Sequence, residues 1–256
     1  MTRLLQRFTD RVESGGKLLV PYIMGGTPDR DGFIQALGAL VGRVDAVEVG
    51  LPYSDPLMDG PVIASAGERA IAAGLGPLEV LDMTAEVRSD TLRVVMTYYN
   101  PIHSLGERAF CERAAGAGIS GLIVPDLPLE ESDGLRRAAS DNELAWIPLV
   151  APTSSPERIA GIVATATGFV YAVSTLGVTG VRGALSERAA QVVERCRAAT
   201  DLPVLIGVGV SNAEQAREAA SVADGVVMGS ALVRLLMDEG LESALKLVDE
   251  ARAALP

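Results

Sequence analysis

Eight short runs rich in apolar and β-branched residues recur along the chain, and stretches of helical periodicity separate them. The runs span Leu18–Met24, Asp45–Gly50, Arg93–Tyr99, Gly121–Leu127, Leu144–Val150, Gly168–Ser174, Pro203–Val210 and Ala223–Ser230. Most are continuously apolar rather than alternating, as expected of parallel strands covered on both faces. Between them, Phe33, Ala36, Leu37, Leu40 and Val41 share one helical face, as do Leu241, Ala244, Leu245 and Val248. Helix starts are marked at Ser154-Ser155-Pro156-Glu157, and at Ser211-x-x-Glu214 as a capping box. Alternating β and α units with right-handed crossovers close, at eight repeats, into a barrel. The reading is α/β, a single (β/α)8 TIM barrel over residues 1–256, with an additional N-terminal helix and extended loops after strands 2 and 6. An open doubly wound sheet is the alternative.

In such a barrel the reacting groups stand at the C-terminal ends of the strands and in the loops after them. In the second run, Val47 and Val49 share one face and Ala46, Glu48 and Gly50 the other. If the valines pack under helices, Glu48 points into the barrel mouth, where desolvation raises its pKa. The competing reading is a rim glutamate in a salt bridge. The next segment, Leu51 to Pro61, holds three prolines, a glycine and the acids Asp55 and Asp59, the composition of an ordered loop. Asp59 can bring a second carboxylate to the same mouth; alternatively, Asp59 or Asp55 caps the following helix. Glycines close the last two runs, at Gly207-Val208-Gly209 and at Gly229-Ser230 before a helical segment. That pattern suits phosphate held by backbone N–H groups, or tight turns alone. Ser174 to Ala184, with three glycines, reads as a lid.

Composition narrows the chemistry. Of 22 basic residues only Lys17 and Lys246 are lysines, and both are placed away from the mouth, so a Schiff base there is excluded. His103 is the only histidine, assigned to a surface loop, and no multi-histidine or CxxC metal site exists. Cys111 and Cys196 lack framework spacing and read as reduced, buried thiols of a cytoplasmic protein. A formal charge of −11 speaks against nucleic-acid or anionic-membrane partners. The N-terminal stretch has no apolar core of a signal peptide, and no apolar run has the length of a membrane span. What remains is acid/base work by carboxylates.

The stretch Val47-Glu48-Val49-Gly50-Leu51-Pro52-Tyr53-Ser54-Asp55-Pro56-Leu57-Met58-Asp59-Gly60-Pro61, with Gly177-Val178-Thr179-Gly180 and Gly229-Ser230, resembles the tryptophan synthase α subunit family. The similarity runs from the N-terminal helix to the C-terminus. The resemblance implies a (β/α)8 barrel that cleaves indole-3-glycerol phosphate to indole and glyceraldehyde 3-phosphate without a metal or organic cofactor. It assigns Glu48, Asp59 and Tyr171 as catalytic, Glu48 protonating indole C3 and Asp59 bonding the indole N–H. It gives the substrate phosphate to Gly180, Gly209, Gly229 and Ser230. It lines the indole pocket with Tyr22, Met96, Tyr98, Ile123, Leu149 and Val208, the last where the family carries a larger aromatic residue. Thr179 matches a lid residue, and Asp55 and Pro56 a contact with the partner. That partner is a pyridoxal-phosphate-dependent β subunit in an αββα complex. Two other readings stay open: a stand-alone lyase releasing free indole, and a catalytically silent barrel that activates a partner.

Overall fold

The computed structural model describes residues 1–173, 182–207 and 209–256. Among the described residues nine parallel strands form one sheet: β1 (Leu18–Met24), β2 (Ala46–Gly50), β3 (Leu92–Met96), β4 (Gly121–Ile123), β5 (Ala145–Trp146), β6 (Leu149–Val150), β7 (Val170–Val173), β8 (Val204–Gly207) and β9 (Gly225–Met228). Their order is β5-β4-β3-β2-β1-β9-β8-β7-β6. The two ends of that series, β5 and β6, are separated only by Ile147 and Pro148, so the ring closes through one interrupted strand. The Ile147 N–H donates to Leu122 on one side, and the Pro148 carbonyl accepts from Tyr171 on the other, each at 3.0 Å. Proline has no N–H to give a ladder, which is why the expected fifth strand splits.

Alternation decides what each strand residue covers. On β1, Leu18 and Val20 pack inside the barrel with Ala46, Val94, Ala145 and Leu205. Leu19 and Ile23 pack outside it, under the helices, with Val47 and Val49. The helix Arg3–Glu13, capped by the Thr2 hydroxyl, presents Leu4 and Phe8 on one face. Both join the inner cluster, Phe8 stacking on Phe169 with ring centroids 5.5 Å apart. The added N-terminal helix therefore seals the lower end of the barrel and leaves one open mouth.

Several boundaries differ from the sequence reading. The first strand keeps the bounds of its apolar run; the others are trimmed, as at the ends of β3 and β8, where residues past the ladder leave the sheet. Tyr99 starts the helix Tyr99–Leu105, which also carries exposed His103, expected in a loop. Ser230 opens the helix Ser230–Asp238. The cap expected at Ser211 falls on Asn212, which accepts from the Gln215 N–H at 2.9 Å. Val41 lies past the end of its helix and is exposed. The loop after β2 is followed by two helices, Pro61–Ala72 and Pro77–Glu86, the crossover helix and the extra one for which the long spacing between strands 2 and 3 leaves room. The expected lid lies largely outside the described residues.

One buried cation holds this part of the ring. Arg93, 4% exposed, points outward from β3 and donates to the carbonyls of Thr84 (3.0 Å) and Val87 at the end of the helix Pro77–Glu86. Arg93→Met leaves both carbonyls without that donor. The expected result is a loss of about 2 kcal/mol in urea unfolding with kinetic constants at the mouth unchanged.

Candidate active site

Glu48 is 1% exposed, and neither carboxylate oxygen has a hydrogen-bond partner. Burial, with the negative charge of Asp59 adding to it, pushes its pKa up to about 8. The valines on either side pack under the helices, so the inward direction read from alternation holds. No ion pair among the described residues involves Glu48, which removes the rim salt-bridge reading.

Glu48 stands in the floor of a cavity of about 500 Å³ at the C-terminal mouth. Ten of the expected site residues line it: Tyr22, Glu48, Asp59, Met96, Ile123, Leu149, Tyr171, Gly209, Gly229 and Ser230. They arrive from most of the ring, with Tyr22 level with Glu48 across β1 and β2 and Leu149 level with Tyr171 across β6 and β7. The chain contributes no lysine, arginine, histidine or cysteine to the described lining.

Asp59 does not cap a helix. The N-cap of Pro61–Ala72 is Gly60, with no side-chain hydrogen bond. Burial raises the Asp59 pKa, and its interaction with the Tyr98 hydroxyl opposes the rise. Asp55 is exposed and accepts from the Ser54 hydroxyl at 2.6 Å, so it caps nothing either. Tyr98 does not line the cavity. Its ring lies 5.3 Å from that of Tyr53 and its hydroxyl accepts from the Met58 N–H at 2.9 Å, which pins the loop that carries Asp59. Burial pushes the Tyr98 hydroxyl up to about 12, so it stays protonated through the neutral range.

Two glycines make room for the tyrosines. A Cβ on Gly207 would overlap the ring and hydroxyl of Tyr171, and one on Gly50 would overlap the Tyr22 hydroxyl. Gly207 therefore serves a ring across the strand, rather than only the turn the sequence suggested. Gly207→Ala is expected to fold but to displace Tyr171, lowering kcat/KM by about 10²-fold. Steady-state kinetics beside a thermal melt checks this.

Gly229 is the N-cap of Ser230–Asp238 and offers no side chain to the first-turn N–H groups. Those unpaired donors and the helix dipole are suited to an anion at this edge of the cavity. Gly180, Thr179 and Val208 lie outside the described residues. Sequence reasoning passed over Ile63, Pro125, Val173 and Val227, which also line the cavity. Val173, two residues after Tyr171, was within reach of strand alternation; Ile63, arriving from a helix, carried no local signal. Cys111 and Cys196 are buried and free and are not part of the described lining, and burial raises both thiols, to about 12 and about 11.

A parallel barrel sealed below, with a buried glutamate of raised pKa and a second carboxylate in its mouth, is a (β/α)8 barrel equipped for acid/base chemistry. The family model for the tryptophan synthase alpha chain matches residues 8–254. A tryptophan synthase alpha chain of Carboxydothermus hydrogenoformans is 44% identical over 239 residues, spanning 92% of this chain and 90% of that protein. Another, of Streptomyces avermitilis, is 46% identical over 233 residues, spanning 90% and 84%. Among solved structures, a Mycobacterium tuberculosis tryptophan synthase superposes with a TM-score of 0.92 at 42% identity, covering 99% of this chain and 98% of that one. The chain belongs to the tryptophan synthase alpha chain family. No helix among the described residues is long and apolar enough to cross a membrane.

Proposed function

We propose that this chain is the lyase that cleaves indole-3-glycerol phosphate to indole and glyceraldehyde 3-phosphate in tryptophan biosynthesis, working as one barrel domain in the cytoplasm. The observation that carries the reading is the buried, unpartnered Glu48, its pKa raised to about 8, lining one cavity with Asp59. Free, buried thiols suit a reducing compartment.

Glu48 gives its proton to indole C3, forming an indolenine. Asp59 accepts the ring N–H and offsets the positive charge that grows there. The Glu48 carboxylate, having lost its proton, takes the one on the 3′-hydroxyl. The carbon–carbon bond then breaks, its electron pair restoring the aromatic ring while the triose leaves as the aldehyde. Tyr171 borders Glu48 and limits where C3 can sit. Met96, Ile123 and Leu149 supply apolar wall for the ring, with the Tyr22 ring beside them. Gly209, Gly229 and Ser230, with Gly180, hold the phosphate by backbone N–H groups, so no lysine is needed. Tyr98 acts through the loop it pins; the lid role of Thr179 and the indole-pocket role of Val208, both outside the described residues, rest on the resemblance to the family alone.

The partner in this reading is the pyridoxal-phosphate-dependent β subunit, in an αββα complex. The stretch Asp55, Pro56, Leu57 and Met58 is its docking loop; Pro56 is half-buried, while Asp55 is exposed, Leu57 80% and Met58 55%. Apolar side chains grouped at a rim mark a contact surface. Purified chain incubated with indole-3-glycerol phosphate is expected to release indole slowly alone and many times faster with the β subunit. High turnover without the β subunit would favour a stand-alone lyase; no indole under either condition would favour a silent barrel.

A further inference from the structure

In the catalytic cavity a buried donor and a buried acceptor stand one above the other, each without a good partner. Neither oxygen of Glu48 has one. Tyr22, 4% exposed, donates only to the Met24 sulfur among the described residues, at 4.0 Å, and a thioether is a weak acceptor. Buried hydroxyls are as a rule hydrogen-bonded, so a donor left on sulfur is unusual. Its place is fixed by β2. Tyr22 is level with Glu48, and Met24 with Gly50, across the β1–β2 ladder. Gly50 shares the inward face with Glu48, and a Cβ on Gly50 would lie 1.9 Å from the Tyr22 hydroxyl oxygen. The hydroxyl therefore fills the next inward position above Glu48. Same-face neighbours on a strand are about 6.6 Å apart, and a glutamate carboxyl turned along the strand closes that gap to hydrogen-bond reach.

We propose that Tyr22 is a positioning residue for Glu48: its hydroxyl turns from the Met24 sulfur to the carboxylate that remains once Glu48 has given its proton to the substrate. This rests on the reading of Glu48 as the acid. A protonated carboxyl survives burial without a donor, whereas a carboxylate left in the same place is costly until one arrives. No lysine, arginine or histidine lines the described cavity, so hydroxyls must supply it. Burial, then the charges of Asp59 and Glu48, raise the Tyr22 pKa well above its ordinary value, with Tyr98 and Tyr171 adding to the rise. The hydroxyl thus keeps its proton through the neutral range. Asp59 is the competing acceptor, but the Tyr98 hydroxyl already serves it. Burial, and after it the charge of Glu48, hold the proton on Tyr171 of β7 in the same way. The two tyrosines offer one hydroxyl for each carboxylate oxygen.

The test is Tyr22→Phe, which keeps the ring and removes one oxygen. Glu48 is followed in the full chain through its carboxylic-acid stretch in infrared difference spectra, assigned by its loss in Glu48→Gln. Steady-state cleavage is measured across pH beside it. The carboxyl titration and the alkaline limb of kcat are both expected to move upward from about 8, by about one pH unit, because the charged form has lost a donor. At neutral pH kcat is expected to fall about tenfold, with KM within about twofold and the melting temperature unchanged. In the Glu48→Gln background the same removal is expected to cost less than about twofold, since no carboxylate is left to meet. A titration and a limb that stay at the parent's pH overturn the proposal, as does an equal loss of kcat in the Glu48→Gln background. A downward shift overturns it too: it would arise from a donor lost to Asp59, whose charge helps to hold the Glu48 proton. Failure of the parent chain to release indole, with or without the β subunit, overturns the catalytic reading instead, and the infrared titration decides the hydroxyl's acceptor without it.

Discussion

Glu48→Gln is expected to lower kcat by roughly 10³–10⁴-fold, within the upper range for loss of general acid–base catalysis, and to leave KM within a few-fold. The amide keeps the volume and planarity of the carboxyl group but has no proton to give to carbon. Substrate affinity rests on the apolar walls and the phosphate edge, which the substitution does not touch. No structural hydrogen bond is lost, because neither Glu48 oxygen has a partner. The same group sets the pH behaviour. Its pKa of about 8, raised by burial and by Asp59, keeps the proton in place at neutral pH. Activity is therefore expected to fall as pH climbs through about 8. Stability follows the same titration. The unfolded chain ionises near 4.5 while the folded chain holds the proton to about 8, so the proton's contribution is complete below 4.5 and is lost as pH rises through that window. The slope reaches at most about 1.4 kcal/mol per pH unit, and urea unfolding of the Gln variant is expected to lack it. Near-normal turnover in Glu48→Gln would overturn the assignment of the acid.

Much of the fold was legible because one physical signal governs it. A strand covered on both faces must be apolar throughout, and eight such runs between amphipathic helices leave few ways to close. The same signal overstated the strand lengths, since residues past the ladder stay apolar where they line the mouth, as Val173 and Leu149 do. It missed the break at Pro148, where hydrophobicity continues although pairing stops. Glu48 stood out because a carboxylate on the inner face of a buried strand violates the pattern. Asp59 carried no such mark: only the placement of Gly60 as the helix cap separates its role from capping. The service that Gly207 performs for Tyr171 was illegible in principle, because it joins residues 36 positions apart through contact across two strands.

Asp59→Asn is expected to lower kcat/KM by about 10²–10³-fold, the scale for removing one preorganised electrostatic contact from a transition state. Asparagine can still accept the indole N–H hydrogen bond, so the loss comes from the missing charge, and it grows as the ring becomes cationic. The effect should accordingly fall on kcat more than on KM. A second readout follows from the coupling of the two acids. Asp59 is one of the causes that raise the Glu48 pKa, so its neutralisation lowers that pKa, and the alkaline fall in activity is expected to move below about 8. A capping residue could not produce that displacement. Stability points the same way. Burial disfavours the Asp59 carboxylate, and the next helix is capped without it, so the neutral amide is expected to leave the melting temperature unchanged or slightly raised. Kinetics across pH on the variant, beside a thermal melt, separate the possibilities. A variant that melts earlier yet keeps both its kcat and the alkaline limb of the parent would return Asp59 to a purely structural role and leave Glu48 as the sole acid of the site.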